Sequence, residues 1–569
     1  MTLELAPTPT AALIEGGVGC GKTAALIARV ATFLEDGAAP EDMLVLAATP
    51  DAARVLGARL TEAAGERGAA IEVTCAREVA LGLLASEEGR AFSGRAGRLV
   101  TPLELGFIME DMKTSGLKQR RLREMLKFFY RNWTELAGGA DDDDRWLIPG
   151  EEADTHALLK DVLRFTGGIL EPEAAAMAVR FLLACPEVLA SAQRTHVLVD
   201  DYQMHSRASQ HLANLLARDS VTVAADPTAV VEVFDSYPYG EGIGEFTQAN
   251  EGCERVVLSE SRACASAARA ANRLRASLDA GAAPSDTETE GASFTALEAA
   301  DPVAEMAAVA DAVQAALEAG TNPSSIYILA FHPAWERCIA RALEARGIAA
   351  ALPIRGRVAA GDYRDLDRCA PARLLTALAL VADPTDALDL SAEERERTVQ
   401  LASALTAPEP GVNAPSDARA MIARARQRMN APVFETTEGH VLIGDSAHLT
   451  GLTPATLVLC GFVNGFFPIR DYFDATVTTP DKQKLVRATD TRRLYAAAGK
   501  ATQRLAASWF TSIGLVEAET LKLEIGRVKL RRGERIAVTA PSIYLADIDP
   551  GAETCTAEAA ETAAAAPSS

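Results

Sequence analysis

Three features of the sequence predict an α/β fold built on parallel sheets, in two units that each carry a mainly helical insertion. Short uninterrupted apolar runs such as Met43–Ala48 recur along the chain. Amphipathic helical patterns separate them, as with Leu26, Ile27, Val30 and Leu34. The same alternation returns after residue 320. Strands apolar on both faces need helices on both sides, which is the habit of parallel sheets.

In chain order, Ala11–Glu15 reads as a strand, Thr23–Leu34 as a helix, Met43–Ala48 as a strand and Ala52–Ala63 as a helix. These belong to the first unit, expected over 1–95 and 191–265. Residues 96–190 interrupt it with a mostly helical texture, a Gly138-Gly139 break and the Asp141–Asp144 tetrad. Strands resume at His196–Val199 and Ser220–Ala224. The polar stretch Ala283–Gly291 marks a surface loop or boundary. The second unit is expected over 266–385 and 439–550. It has a strand at Ile326–Phe331, a helix at Trp335–Arg346 and a strand at Ala455–Cys460. A short charged, Pro-bearing helical insert is expected at 386–438. The Ala-, Glu-, Thr- and Ser-rich stretch 551–569 is expected to be disordered.

Composition narrows the function classes. At 569 residues the chain can hold several domains. No apolar run reaches the ~18 residues of a membrane span; the nearest, Leu374–Ala382, soon meets Asp and Pro. No basic-then-apolar secretory signal opens the sequence, and no membrane partner is expected. Nine cysteines without a Cys-x-x-Cys pair suit neither a disulfide framework nor a zinc site, so a cytoplasmic location is expected. The net charge of −22 disfavours non-specific binding to a polyanion, so any nucleic-acid contact needs local basic patches.

Gly16-Gly17-Val18-Gly19-Cys20-Gly21-Lys22-Thr23 fits the phosphate-binding pattern G-x-x-x-x-G-K-[ST] between a strand and a helix. Its glycines let backbone N–H groups converge on phosphate oxygens, and the helix N-terminus adds partial positive charge. Lys22 reaches the β- and γ-phosphates, and the Thr23 hydroxyl ligates Mg²⁺. The partner motif is Val197-Leu198-Val199-Asp200-Asp201-Tyr202-Gln203. Asp200 is expected to hold Mg²⁺, and Asp201 to orient or deprotonate the attacking water. The expected ligands are ATP and Mg²⁺.

From these two motifs onward the chain resembles superfamily-1 helicases of the UvrD/Rep/PcrA kind. That resemblance implies two RecA-like P-loop domains with ATP between them. Thr49, Ala52 and Ala53 match a segment that touches single-stranded DNA in the family. Asp200-Asp201-Tyr202-Gln203 resembles Asp-Glu-x-Gln, with Gln203 at the nucleotide. Ala225-Asp226-Pro227-Thr228-Ala229 resembles Gly-Asp-x-x-Gln, with Ala229 in place of the γ-phosphate-sensing glutamine. Arg262 matches a phosphate-contacting arginine, whereas the adenine-stacking tyrosine is Ser261. Thr450-Gly451-Leu452-Thr453 resembles Lys-Gly-Leu-Glu. Arg492–Ala501 resembles the segment bearing the arginine finger, which falls on Lys500. Phosphate-holding groups are thus kept, while groups that read adenine or report the γ-phosphate are changed. A lysine keeps the finger's charge and loses its planar fork.

Two basic stretches are candidate nucleic-acid contacts. Between Lys113 and Trp133, Arg120, Arg121 and Lys127 lie among Phe128, Phe129 and Tyr130. Cations track a phosphate backbone and aromatic faces stack on bases. The same spacing suits an amphipathic helix with its aromatics buried. Arg527–Arg531 alternates as a strand, with Arg532-Gly533-Glu534 as its turn. A solvated edge strand would look alike. His196, His205 and His211 cluster near the acidic pair, more as hydrogen-bonded histidines than as metal ligands.

The reading is an ATP-dependent helicase or translocase on single-stranded or partly duplex DNA. The alternative is a catalytically weakened subunit or scaffold beside a protein partner such as a nuclease or repair subunit. An unrelated P-loop kinase or regulatory NTPase fits the later motifs less well.

Overall fold

The computed structural model describes residues 3–100, 102–140, 146–231, 237–278, 294–353 and 438–549. Asp141–Asp144, Ala283–Gly291, Leu374–Ala382 and the stretch 551–569 lie outside the described residues, as does 386–438 apart from its last position.

The first sheet contains β1 (Thr10–Gly16), β2 (Met43–Ala47), β3 (Glu72–Cys75), β6 (Arg194–Val199), β7 (Ala217–Ala225) and β8 (Glu254–Leu258). Their spatial order is β3-β2-β6-β7-β1-β8, with every pairing parallel. Alternate residues feed separate cores on its two faces. Leu13, Leu44, Leu46 and Val199 enter one core, and Ile14, Val45 and Leu198 the other. This is why the strands read as unbroken apolar runs. Between β3 and β6 lie the two-residue strands β4 (Arg98–Leu99) and β5 (Gly168–Ile169), with a helical insertion around them.

The second sheet contains β9 (Thr295–Ala299), β10 (Ile326–Ala330), β11 (Ala350–Ala351), β12 (Val441–Gly444), β13 (Thr456–Cys460) and β14 (Arg504–Phe510). It is again parallel, in the order β11-β12-β10-β13-β14-β9. The helix Ala265–Leu278, reached directly after β8, sends Ala267, Ala270, Ala271 and Leu274 into this second core. A small antiparallel sheet follows, made of β15 (Ser512–Gly514), β16 (Arg527–Arg531) and β17 (Glu534–Val538), with β16 at its edge. Every residue of β16 is exposed, so its cations are not confined to one face against a core.

In the insertion, the helix Gln119–Thr134 buries Leu122, Met125, Leu126, Phe129, Tyr130 and Trp133. That is the i, i+3, i+4, i+7 stripe of a helix packed on neighbours. Here it packs into a cluster with Leu159 and Leu163.

In parallel sheets, ligands bind outside the carboxyl ends of the strands. The ends of β6, β7 and β1 are adjacent, and they carry Asp200, Asp226 and the phosphate-loop motif.

A candidate nucleotide cleft between the two sheets

After β1 the chain turns through Gly17–Gly21 into the helix Lys22–Glu35. Gly21 sits at the N-cap with φ 87°, ψ 23°, and a Cβ there would lie 2.7 Å from Arg262 Nε. Conformation and close approach both require glycine at this point. No side chain caps the helix, so its first-turn N–H groups keep their electropositive character. Cys20 is partly exposed in the turn and donates its N–H to Gly17 O at 3.2 Å. Lys22 is buried and folds Nζ back to Gly17 O at 3.0 Å. The Thr23 hydroxyl donates to Asp200 Oδ2 at 2.8 Å.

Asp200 is held from behind. Its N–H donates to Leu46 O at 2.8 Å, and His205 Nε2 lies 3.1 Å from its carbonyl oxygen. Its side chain is buried, and Oδ1 has no hydrogen-bond partner. Burial, and then the neighbouring Asp201, push the carboxyl up to about 6, against the pull of Thr23 and Lys22. An unpaired, buried carboxylate oxygen beside a threonine hydroxyl is a hard-oxygen donor set, and it fits Mg²⁺.

Asp201 has left-handed backbone (φ 48°, ψ 49°). Gln203 donates to Asp201 Oδ1 at 3.3 Å and accepts the Asp226 N–H through Oε1 at 2.9 Å. Gln203 therefore braces two acidic loops from a buried position. Asp226, buried at the end of β7, accepts from the Tyr495 hydroxyl at 2.9 Å. The oxygen of that hydroxyl in turn accepts the Val18 N–H at 3.0 Å. Tyr495 comes from the helix Pro480–Ala498 of the second unit. Burial raises the Asp226 carboxyl and the Tyr495 phenol alike.

Arg262 donates its backbone N–H to Gly19 O at 2.7 Å, and its guanidinium lies along Gly21. Lys500 lies beyond the helix Pro480–Ala498 and donates Nζ to Leu449 O at 3.0 Å. Burial lowers its ammonium pKa, although Asp201 and Asp200 pull the other way. Gly16, Gly17, Val18, Gly19, Cys20, Gly21, Lys22, Thr23, Asp200, Asp201, Gln203, Arg262 and Lys500 thus converge on one seam. Two small cavities remain in it. One, of about 50 Å³, is lined by Val18, Lys22, Asp201, Gln203, Asp226, Arg493 and Lys500 among others. The second, of about 10 Å³, is lined by Thr23, Asp200, Asp201 and Gly451 among others.

The DNA candidates do not join this group. The Thr49 hydroxyl accepts the Ala52 N–H at 3.2 Å and caps the helix Pro50–Ala69. Arg120 is exposed and bonds Glu124 at 3.0 Å, and Arg121 bonds Glu151 at 2.9 Å. Lys127 is exposed. Tyr130 corrects the expectation. Its ring is packed between helices of the insertion, so it offers no face to a base. Of that patch the cations and Phe128 face solvent, while Phe129 and Tyr130 are buried. The three histidines also separate: His196 stacks on Phe33, His205 serves Asp200, and His211 lies 3.9 Å from Glu245. Among the described residues no cluster of three or more metal-binding side chains is found.

Sequence reasoning gave no role to Tyr495, Asp226 or His205. Tyr495 and Asp226 lie inside the motifs quoted above, which was the available signal.

Residues 4–135 match the family model of the UvrD/REP helicase N-terminal domain. A search of curated proteins finds no match. The matched segment holds the phosphate loop, the Thr49 segment and the inserted helix Gln119–Thr134, and it ends before Asp200. Over residues 4–135 the chain is thus similar to the N-terminal domain of UvrD/Rep-like superfamily-1 helicases, a similarity that supports a RecA-like P-loop fold for its first sheet.

Proposed function

We propose that the chain binds Mg²⁺·ATP at the seam between its two sheets and acts as an ATP-dependent translocase or helicase on single-stranded or partly duplex DNA. The observation that carries this reading is the unpaired Oδ1 of Asp200, beside the Thr23 hydroxyl and the buried Lys22. In it, Thr23 and Asp200 hold Mg²⁺, which screens phosphate charge when bound. Lys22, Arg262 and the N–H groups of Gly19, Gly21 and Thr23 hold phosphate oxygens. Asp201, kept in place by Gln203, takes the water proton. A cytoplasmic site of action and a nuclease or repair partner go with this reading.

Two observations favour a second reading, a subunit that binds ATP and turns it over slowly. The Lys500 ammonium is engaged by Leu449 O, and Ala229 packs into the second core where the family resemblance implies a γ-phosphate-sensing glutamine. Steady-state ATP hydrolysis with and without single-stranded DNA, for the wild type and Lys22→Ala, decides between them. DNA-stimulated turnover that the substitution abolishes is expected. Nucleotide binding without turnover would replace the first reading by the second.

A further inference from the structure

Between Lys522 and Arg535 the chain carries six cations against Glu524 and Glu534, although its net charge is −22. Five of the six stand on the hairpin of β16 and β17. Among the described residues β16 is a free edge of the small sheet, and each of its residues is exposed. On β8, another edge strand, the charges are matched: Arg255 pairs with Glu15 at 2.6 Å, and Glu254 with Arg29 at 2.7 Å. Arg527, Lys529 and Arg531 make no ion pair among the described residues. Residues directly opposite each other in antiparallel strands share a face. Ile513 on β15, Ala537 on β17 and Val528 on β16 form one such row. Ile513 and Ala537 are buried in the second core, whereas Val528 is 44% exposed. Leu530, on the same side of the strand, is 74% exposed. The apolar row thus runs out of the core and stops uncovered at the edge. Arg527, Lys529 and Arg531 alternate with Val528 and Leu530 and stand on the other side. Along the edge itself, alternate residues turn N–H and C=O away from β17, and no strand among the described residues meets them.

We infer that β16 receives one further strand from a protein partner, an extended acidic segment in which carboxylates alternate with apolar residues. The partner's backbone continues the ladder, its carboxylates stand opposite Arg527, Lys529 and Arg531, and its apolar side chains cover Val528 and Leu530. The same cations keep out a second copy of this edge, because two β16 strands would set cation against cation. A nucleic-acid strand would meet the cations and leave the backbone edge and Leu530 unused. The hairpin 527–538 also has no aromatic ring on which a base could stack. The inference stands apart from the nucleotide reading above.

The test uses the full-length chain and a fluorescently labelled peptide of alternating glutamate and valine, read by anisotropy. The double variant Lys529→Glu, Arg531→Glu is expected to bind it about tenfold more weakly than the wild type, since two attractive cross-strand pairs become repulsive. The milder Lys529→Gln, Arg531→Gln is expected to fall between them. The same peptide N-methylated at every residue cannot donate to an edge, and it is expected to lose binding. Both positions are exposed, so the unfolding midpoints of the variants are expected to match the wild type. A wild type that does not bind the peptide overturns the inference. So does equal binding of the N-methylated form, or binding that survives in both double variants. A single-stranded oligonucleotide is measured in parallel. If charge reversal weakens its binding and spares the peptide's, the surface belongs to nucleic acid and the inference falls. Self-association in sedimentation that charge reversal abolishes would make the occupant a second copy, and would overturn it too.

Discussion

The two six-stranded sheets share a parallel build and differ at their carboxyl edges. The first ends in charge: Lys22, Asp200 and Asp226 are all buried there. The second ends in rings. Phe331, just after β10, packs at 5.1 Å from Phe462, just after β13, and at 4.6 Å from Phe467. His332 stacks on Phe466 at 4.5 Å. The same edge of the same kind of sheet carries buried charge in one half and, in the other, a cavity of about 550 Å³ walled by Phe331, Phe466 and Phe467 among others. A sheet edge is therefore a location for chemistry, while the loop residues decide whether any occurs. The second half reaches the cleft mainly through the Pro480–Ala498 helix and the segment following β12.

Four measurements can break or sharpen this comparison. Phe462→Ala should remove about 3–5 kcal/mol of stability, read from the unfolding midpoint, because the ring is fully buried among other aromatics. Nucleotide affinity of the folded variant should change little. Lys22→Ala should lower ATP turnover on the order of 10²–10³-fold. Lys500→Ala should lower it by less than about tenfold, since that ammonium is held by Leu449 O. Equal losses at the two lysines would erase the distinction between the halves.

Asp200→Asn tests the charged edge through pH. The Asp200 carboxyl is raised from 3.8 to about 6 in the folded chain. The folded state therefore holds a proton that the unfolded state releases between those values, and stability falls as pH rises through that window. The penalty is complete above about pH 6 and absent below about pH 4. The asparagine variant should be more stable than the wild type by about 1–3 kcal/mol at pH 8 and equal to it near pH 4. Added Mg²⁺ should stabilise the wild type at pH 8 and not the variant. A gain that persists at pH 4 would rule out the buried charge as its cause. The smallest effect is expected on β16: Arg527→Gln, Lys529→Gln and Arg531→Gln should each reduce the salt slope of DNA binding by about 1 if they contact phosphates. An unchanged slope would leave them as edge protection.

The strand, turn and helix around Gly16–Thr23 were legible because eight consecutive residues carry the pattern and local backbone geometry suffices. The strands were legible because both-face burial makes them continuously apolar. The turn after β16 was legible too, since Arg532 and Gly533 take positive φ there. The bonds that close the cleft were not. Val18 and Tyr495 are 477 positions apart, and Asp226 and Tyr495 are 269 apart. Only the packing of the two units brings them together. Tyr130 failed for a different reason. Along one helix, cations and aromatics at mixed spacing look the same whether the rings face a base or a neighbouring helix. What decides it is Leu159 and Leu163, on another segment. Lys500 shows a third limit, because a motif locates a residue without saying where its ammonium points.

The left-handed backbone at Asp201 has a consequence for how the acidic pair could be altered. Short polar side chains such as Asp and Asn tolerate that conformation better than longer ones. Position 201 thus trades length for fit: aspartate sits easily in the turn and reaches less far toward a water. Installing glutamate would lengthen the reach by one methylene and load strain onto the turn that Gln203 and His205 brace. Asp201→Glu is therefore not a simple repair toward the family pattern. The loop's shape has been settled around the shorter acid.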